Sequence, residues 1–314
     1  IMKLKSLDIG RLSTKNNIFF APMAGYTDYA FRGLCARLGA GVTVTEMVSA
    51  KGLIYKNENT SCLLQISPDE NLSIAQLFGH EPEVLRAACE SEYLLPFDIV
   101  DINMGCPVNK IYGNGEGSKL MENTELAEKI IKECAKSGKT ITVKFRAGLH
   151  DNQLIAADFA KRAEQAGAKL VTIHGRTRDG MYSGEVHYDE IAKAKSSVSI
   201  PVIANGGIFT ETDVDLMIER TGADGVAIAR GALSDPLLFA RLSGTKTNFS
   251  LVDCVDYLIE KRLLTEPDVI VAHALRKFVA NLFKGVRGGK EAKLKVFSAE
   301  STAEIKQICH EVLG

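Results

Sequence analysis

The chain reads as an α/β protein, a (β/α)8 barrel over residues 1–242 followed by a small all-helical unit over 243–314. Three observations carry that reading. Eight short β-rich runs alternate with amphipathic helical patterns along the first part of the chain. Polar residues or glycines close nearly every one of those runs. Past Leu242 the alternation stops and only helical periodicity remains. Eight strand–helix repeats in about 240 residues match a TIM barrel, whereas a doubly wound open sheet seldom needs eight.

In chain order, strands are expected at Ile18–Pro22, Val42–Thr45, Ile74–Leu77, Ile99–Asn103, Ile141–Phe145, Leu170–His174, Pro201–Asn205 and Gly225–Ala229. Most are short runs rich in β-branched and other apolar residues. Amphipathic helices are expected at Thr124–Ser137, Gln153–Ala166 and Glu211–Glu219, with Gly138, Gly167 and Gly222 placed as C-caps. The polar stretch Ser243-Gly244-Thr245-Lys246-Thr247-Asn248 breaks the pattern. Beyond it, helices are expected at Leu251–Leu264, His273–Phe283, Glu291–Phe297 and Thr302–Leu313.

Composition narrows the class. The 314 residues are 46% hydrophobic and 25% charged, the balance of a soluble globular protein. No apolar run is long enough to span a bilayer, and Met2-Lys3-Leu4-Lys5-Ser6 lacks the apolar core of a signal peptide. Seven scattered cysteines form no Cys-x-x-Cys pair, which predicts a reducing cytoplasm and no structural metal. The net charge of −1 conceals an asymmetry: residues 1–240 carry −4 and residues 241–314 carry +3. Seven basic residues fall within 276–295, among them Arg276, Lys277, Lys284 and Arg287, against the single acid Glu291. Such a patch can hold phosphates, or be a solvated helix face.

In such a barrel the C-terminal ends of the strands surround one mouth, where active sites are built. Interior layers are mostly branched apolar residues, so packing does not account for polar residues at so many ends. Asn103-Met104-Gly105-Cys106-Pro107 stands out among them. A cysteine just past a strand is placed for chemistry; the alternative is a small buried apolar residue. Asn205-Gly206-Gly207 and Ala229-Arg230-Gly231 follow strands seven and eight, where glycine-rich backbone commonly holds a phosphate. Arg230 adds a charged contact. The alternative for each is a tight turn. Lys144 lies on an alternating strand that would bury it, and a buried lysine needs a partner such as an anionic, electron-accepting ring. Gln76 and His174 are placed to hydrogen-bond a polar heterocycle. Gly113-Asn114-Gly115-Glu116-Gly117 lacks the spacing of a dinucleotide fingerprint and reads as a mobile loop beside Cys106.

Four segments together resemble one known family. They are Ala21-Pro22-Met23-Ala24-Gly25-Tyr26-Thr27-Asp28, Asp101-Ile102-Asn103-Met104-Gly105-Cys106-Pro107, Ile173-His174-Gly175-Arg176-Thr177 and Ile203-Ala204-Asn205-Gly206. They are similar to the tRNA-dihydrouridine synthases, with the bacterial B-type subgroup nearest. The resemblance covers the barrel and is weaker in the tail. It implies an FMN enzyme that reduces uridine in tRNA to dihydrouridine with NADPH, with Cys106 as the acid that protonates C5. It also implies that Pro22, Met23, Gln76, Lys144 and His174 surround the flavin ring. Asn205, Gly206, Gly207, Ala229, Arg230 and Gly231 would hold its phosphate. Asn103, Arg146 and Arg176 would contact the flipped uracil, while Arg276, Lys277, Lys284 and Arg287 would grip the tRNA. A monomer is expected, with NADPH sharing the flavin pocket in a ping-pong cycle.

The chain departs from the family's pattern at Lys277-Phe278, where many B-type members have Lys-His, and it has no tryptophan. Two alternatives stay open on the sequence. One is a flavin oxidoreductase for a free pyrimidine, against which the basic tail speaks. The other is an inert tRNA-binding factor, against which Cys106 and the flavin constellation speak.

Overall fold

The computed structural model describes residues 2–57, 60 and 62–314. Among them, eight parallel strands close into a barrel. The strands are β1 (Ile18–Phe20), β2 (Val42–Ser49), β3 (Ser73–Phe78), β4 (Ile99–Met104), β5 (Thr140–Arg146), β6 (Val171–His174), β7 (Val202–Asn205) and β8 (Gly225–Ile228). Spatial order follows chain order and β8 pairs with β1. Strand β4 is buried at every residue, Asp101 and Asn103 included, because helices cover it outside and side chains fill the barrel inside.

Register sets the height of each side chain in the mouth. His174 lies opposite both Arg146 and Asn205, and Asn103 lies opposite Lys144. At the other end, Leu7 and Ile9 plug the barrel floor against Phe19, Val42, Ile74, Ile99 and Ile203. A two-stranded hairpin, Asp8–Ile9 with Leu12–Ser13, carries that plug.

The helix Glu211–Thr221 begins with a capping box from Thr210 and Asp213 and ends on left-handed Gly222. Gly167 caps Ala156–Ala166 in the same way, at φ +114°. Gly138 differs from expectation. The helix ends at Ala135 with Lys136 as its cap, and Gly138 makes the left-handed turn two residues later. Residues Gln153–Leu154, expected to open a helix, instead pair with Gly148–His150 in a hairpin.

Four helices follow the barrel: Leu251–Leu263, Asp268–Leu282, Gly289–Ser298 and Thr302–Leu313. They share one apolar core with the barrel helices. Phe278 meets Phe31 of the first barrel helix, Tyr29–Arg37, at 4.9 Å between ring centres. The Tyr257 hydroxyl donates to Asp69 at 2.6 Å, and Arg262 pairs with Asp28. Beneath these contacts lies a fully buried ion pair, Arg32 Nε to Glu70 at 3.1 Å.

Candidate active site

A cavity of about 810 Å³ opens at the C-terminal ends of the strands. Pro22, Met23, Gln76, Asn103, Cys106, Lys144, Arg146, His174, Asn205, Gly206, Gly207, Ala229 and Arg230 all line it, drawn from seven of the eight strands or the loops that follow them. Gly231 does not. A Cβ there would stand 2.4 Å from the Ile208 carbonyl oxygen, so this glycine lets the loops after β7 and β8 pack together.

The cysteine is held by its own backbone. Asn103 Oδ1 accepts from the Gly105 N–H at 3.1 Å and the Cys106 N–H at 2.9 Å. The Cys106 carbonyl accepts from Ser118 N and Oγ at 3.1 and 2.8 Å, and Arg146 Nε donates to the Gly105 carbonyl at 2.7 Å. The segment from 106 to 118 is therefore tied at both ends and contains a short helix, Asn109–Gly113. It is not the loose loop that its glycines suggested. The thiol is half-buried, and burial pushes its pKa above the ordinary cysteine value against the opposing pull of Arg146 and Lys144. It stays a thiol at neutral pH, the form that can give a proton.

The electrostatics of the floor are mixed. Burial, reinforced by Arg146, draws the Lys144 ammonium down to about 8, while Asp101 holds it up. Burial together with the cations Arg146, Lys144, Arg176 and Arg230 keeps His174 well below its usual value, so the ring is neutral. A lysine still mostly charged at neutral pH, a neutral imidazole and two amides give this cavity hydrogen-bonding groups suited to a polar, electron-accepting heterocycle, the ligand expected for Gln76, Lys144 and His174.

One corner is shaped for an anion. Gly206 and Gly207 adopt φ +115° and +73°, and a Cβ on Gly206 would come within 2.6 Å of His174 Cδ2. Behind this turn stands Arg176, whose Nε donates to the Gly184 carbonyl at 2.5 Å while its buried Nη1 has no partner. An orphaned guanidinium nitrogen beside two left-handed glycines fits a phosphate group. Arg176, expected at the uracil, sits beside the Gly206-Gly207 turn and outside the cavity lining.

The remaining expected substrate residues divide. Arg146 lines the cavity, but its Nη1 donates to the Thr177 and Met181 carbonyls at 2.9 and 2.8 Å, so it also braces the loop after β6. Lys284 reaches the cavity rim from the tail. Lys277 lines a second cavity, between barrel and tail, with Glu46 and Arg262. Arg287 is exposed. Arg276 is engaged within the tail. Its Nε and Nη2 donate to the Ala299 carbonyl, and Nη2 pairs with Glu300 at 2.7 Å. A basic residue in a run does not reveal such a partner.

Among the lining residues that sequence reasoning did not single out are Tyr182 and Asn281. Tyr182 is half-exposed, with the Arg146 and Arg230 guanidinium groups each 5.7 Å from its ring centre. An aromatic among Met181-Tyr182-Ser183-Gly184 in the loop after β6 was the available signal. No group of three or more His, Cys, Asp or Glu could hold a metal among the described residues. No helix among them is long and apolar enough to cross a membrane.

Comparison with known proteins bears on this site. The family described as dihydrouridine synthase matches residues 19–311. The chain is 35% identical over 266 residues to the tRNA-dihydrouridine synthase B of Pasteurella multocida, covering 84% of this chain and 78% of that protein. It is 33% identical over 309 residues to the protein of that name from Pseudomonas putida, covering 95% and 92%. Among solved structures, an old yellow enzyme homologue from Zymomonas mobilis superposes with a TM-score of 0.55 at 14% identity, over 79% of this chain and 94% of that one. A 2-naphthoyl-CoA reductase gives 0.59 at 12%, over 77% and 52%. Those two likenesses establish the barrel alone. A family match that runs from β1 into the last tail helix, over a mouth built around Cys106, makes this chain a member of the dihydrouridine synthase family.

Proposed function

We propose that this enzyme reduces uridines in tRNA to 5,6-dihydrouridine, with FMN as cofactor and NADPH as reductant. The observation that carries the reading is the Cys106 thiol, fixed at the rim of a cavity that also holds two left-handed glycines with the orphaned Arg176 Nη1 beside them. Pro22, Met23, Gln76, Lys144 and His174 would flank the flavin ring. The turns Asn205-Gly206-Gly207 and Ala229-Arg230-Gly231 would take the phosphate, with Arg176 behind them. When bound, FMN supplies a hydride to uracil C6 and is recharged by NADPH.

The protein's own part is positioning and proton transfer. The target base must leave its stack to enter the mouth. Asn103 and Arg146 would meet its polar edge, and Tyr182 offers a face for it. Cys106 gives its thiol proton to C5, which saturates the C5–C6 bond, and the thiolate then recovers a proton from solvent. Lys277, Lys284 and Arg287 would hold the tRNA backbone, from a helical unit beginning at 243. The protein is expected to act as a monomer in the cytoplasm, the compartment that its scattered cysteines, with no Cys-x-x-Cys pair, suggest.

The test is anaerobic. Protein reduced by NADPH is mixed with unmodified tRNA or with free uridine. Reoxidation by tRNA alone supports the reading; equal reoxidation by free uridine overturns the assignment of tRNA as substrate.

A further inference from the structure

Asp101 lies on β4 below the cavity, 4% exposed, and none of the chemistry above uses it. Its carboxylate ends a line of hydrogen bonds that starts at the cysteine. The Cys106 N–H donates to Asn103 Oδ1 at 2.9 Å. Asn103 Nδ2 donates to Gln76 Oε1 at 2.9 Å. Gln76 Nε2 donates to Asp101 Oδ2 at 2.8 Å, and Thr142 Oγ1 donates to Asp101 Oδ1 at 2.6 Å.

Every hydrogen in this line points toward Asp101. At one end the backbone N–H groups of Gly105 and Cys106 are fixed donors. At the other end a carboxylate accepts. Turning either amide between them would set two donors face to face in a buried site. The orientation of Asn103, on which the Cys106 turn hangs, is therefore determined from both ends. Asn103 Nδ2 also donates to Met47 Sδ at 3.6 Å, and the second Nε2 hydrogen of Gln76 is left for the cavity that Gln76 lines.

We propose that Asp101 is a positioning residue for the reaction. It locks Gln76 and Asn103 in one orientation and through them fixes the backbone that carries Cys106. This role rests on Cys106 being the proton donor proposed above.

Three variants separate positioning from bulk stability. Asp101→Leu keeps the volume and removes the acceptor. Asp101→Asn still offers an oxygen to Gln76 while its amide meets the Thr142 hydroxyl. Alkylation by iodoacetamide, read by peptide mass mapping on the folded, cofactor-loaded protein, reports the Cys106 environment without turnover. Cys62, exposed on a different loop, is the reference in the same sample. Asp101→Leu is expected to raise the Cys106-to-Cys62 alkylation ratio about threefold or more. It should also lower kcat for tRNA about tenfold to a hundredfold with KM little changed. Asp101→Asn is expected to stay within about twofold of the wild type on both readouts. A folded Asp101→Leu protein with an unchanged ratio and kcat overturns the proposal, as does an asparagine variant damaged as badly as the leucine. Should Asp101→Leu not fold, Gln76→Leu cuts the line one link nearer the cysteine and is judged by the same ratio. The ratio decides the role even if the wild type leaves tRNA unreduced.

Discussion

Replacing Cys106 by alanine separates two half-reactions that share one cavity. The bonds that hold the turn come from Asn103, Ser118 and Arg146, and none of them uses the sulfur. The loop should survive the truncation, and loss of a half-buried thiol should cost about 1 kcal/mol of stability or less. The kinetic loss is of another size. Removing a positioned general acid slows a step by about 10²–10⁴-fold, which is about 3–5 kcal/mol of barrier. Reduction of the flavin by NADPH needs no acid at C5, so stopped-flow should find that phase unchanged while reoxidation by tRNA slows by the full factor. Serine keeps the shape but is a far weaker acid, so Cys106→Ser should not rescue the rate. The pH dependence has a definite sign. Burial raises the thiol pKa, so the Cys106 contribution to tRNA reduction should be flat through neutrality and fall as alkaline pH removes its proton. An alanine variant that reoxidises on tRNA within about threefold of the wild-type rate refutes the acid assignment.

Other perturbations reach different parts of the account. Arg32→Met leaves the Glu70 carboxylate buried without its counter-charge, although Thr43 and the Ser67 N–H still donate to it; denaturant unfolding should show a loss of about 3–5 kcal/mol. Gly206→Ala adds a Cβ to a left-handed residue 2.6 Å from His174 Cδ2; fluorescence titration should show flavin binding weakened about tenfold or more, with the fold retained. Arg287→Glu should weaken tRNA binding and flatten the salt dependence of log K by about one unit or more, leaving flavin content unchanged.

Much of this was legible in the chain. The strands and their polar C-terminal ends appear in sequence because a barrel buries strands on both faces and leaves only their last residues to the mouth. What escaped depends on distant partners. Val42–Ser49 runs past its expected end through a bulge between Val44 and Met47. The second tail helix begins at Asp268, five residues before the expected His273. The β-branched Val269, Ile270 and Val271 argue locally against a helix, but Pro267 starts one and Thr302 binds Asp268 from across the tail. Arg276 and Lys284 look alike in a basic run. Only packing turns one onto the Ala299 carbonyl and the other to the cavity rim. Lys144 was expected to need a partner such as an anionic ring; it lines an open cavity, and the charge of Asp101 holds its ammonium up.

The most direct test of the central claim is a nucleoside mass analysis. Unmodified tRNA is incubated with the protein, FMN and NADPH, then digested to nucleosides. The account predicts a uridine species heavier by two hydrogens that depends on NADPH and is lost in Cys106→Ala. Oxidation of NADPH by flavin-loaded protein with no such species formed would contradict it.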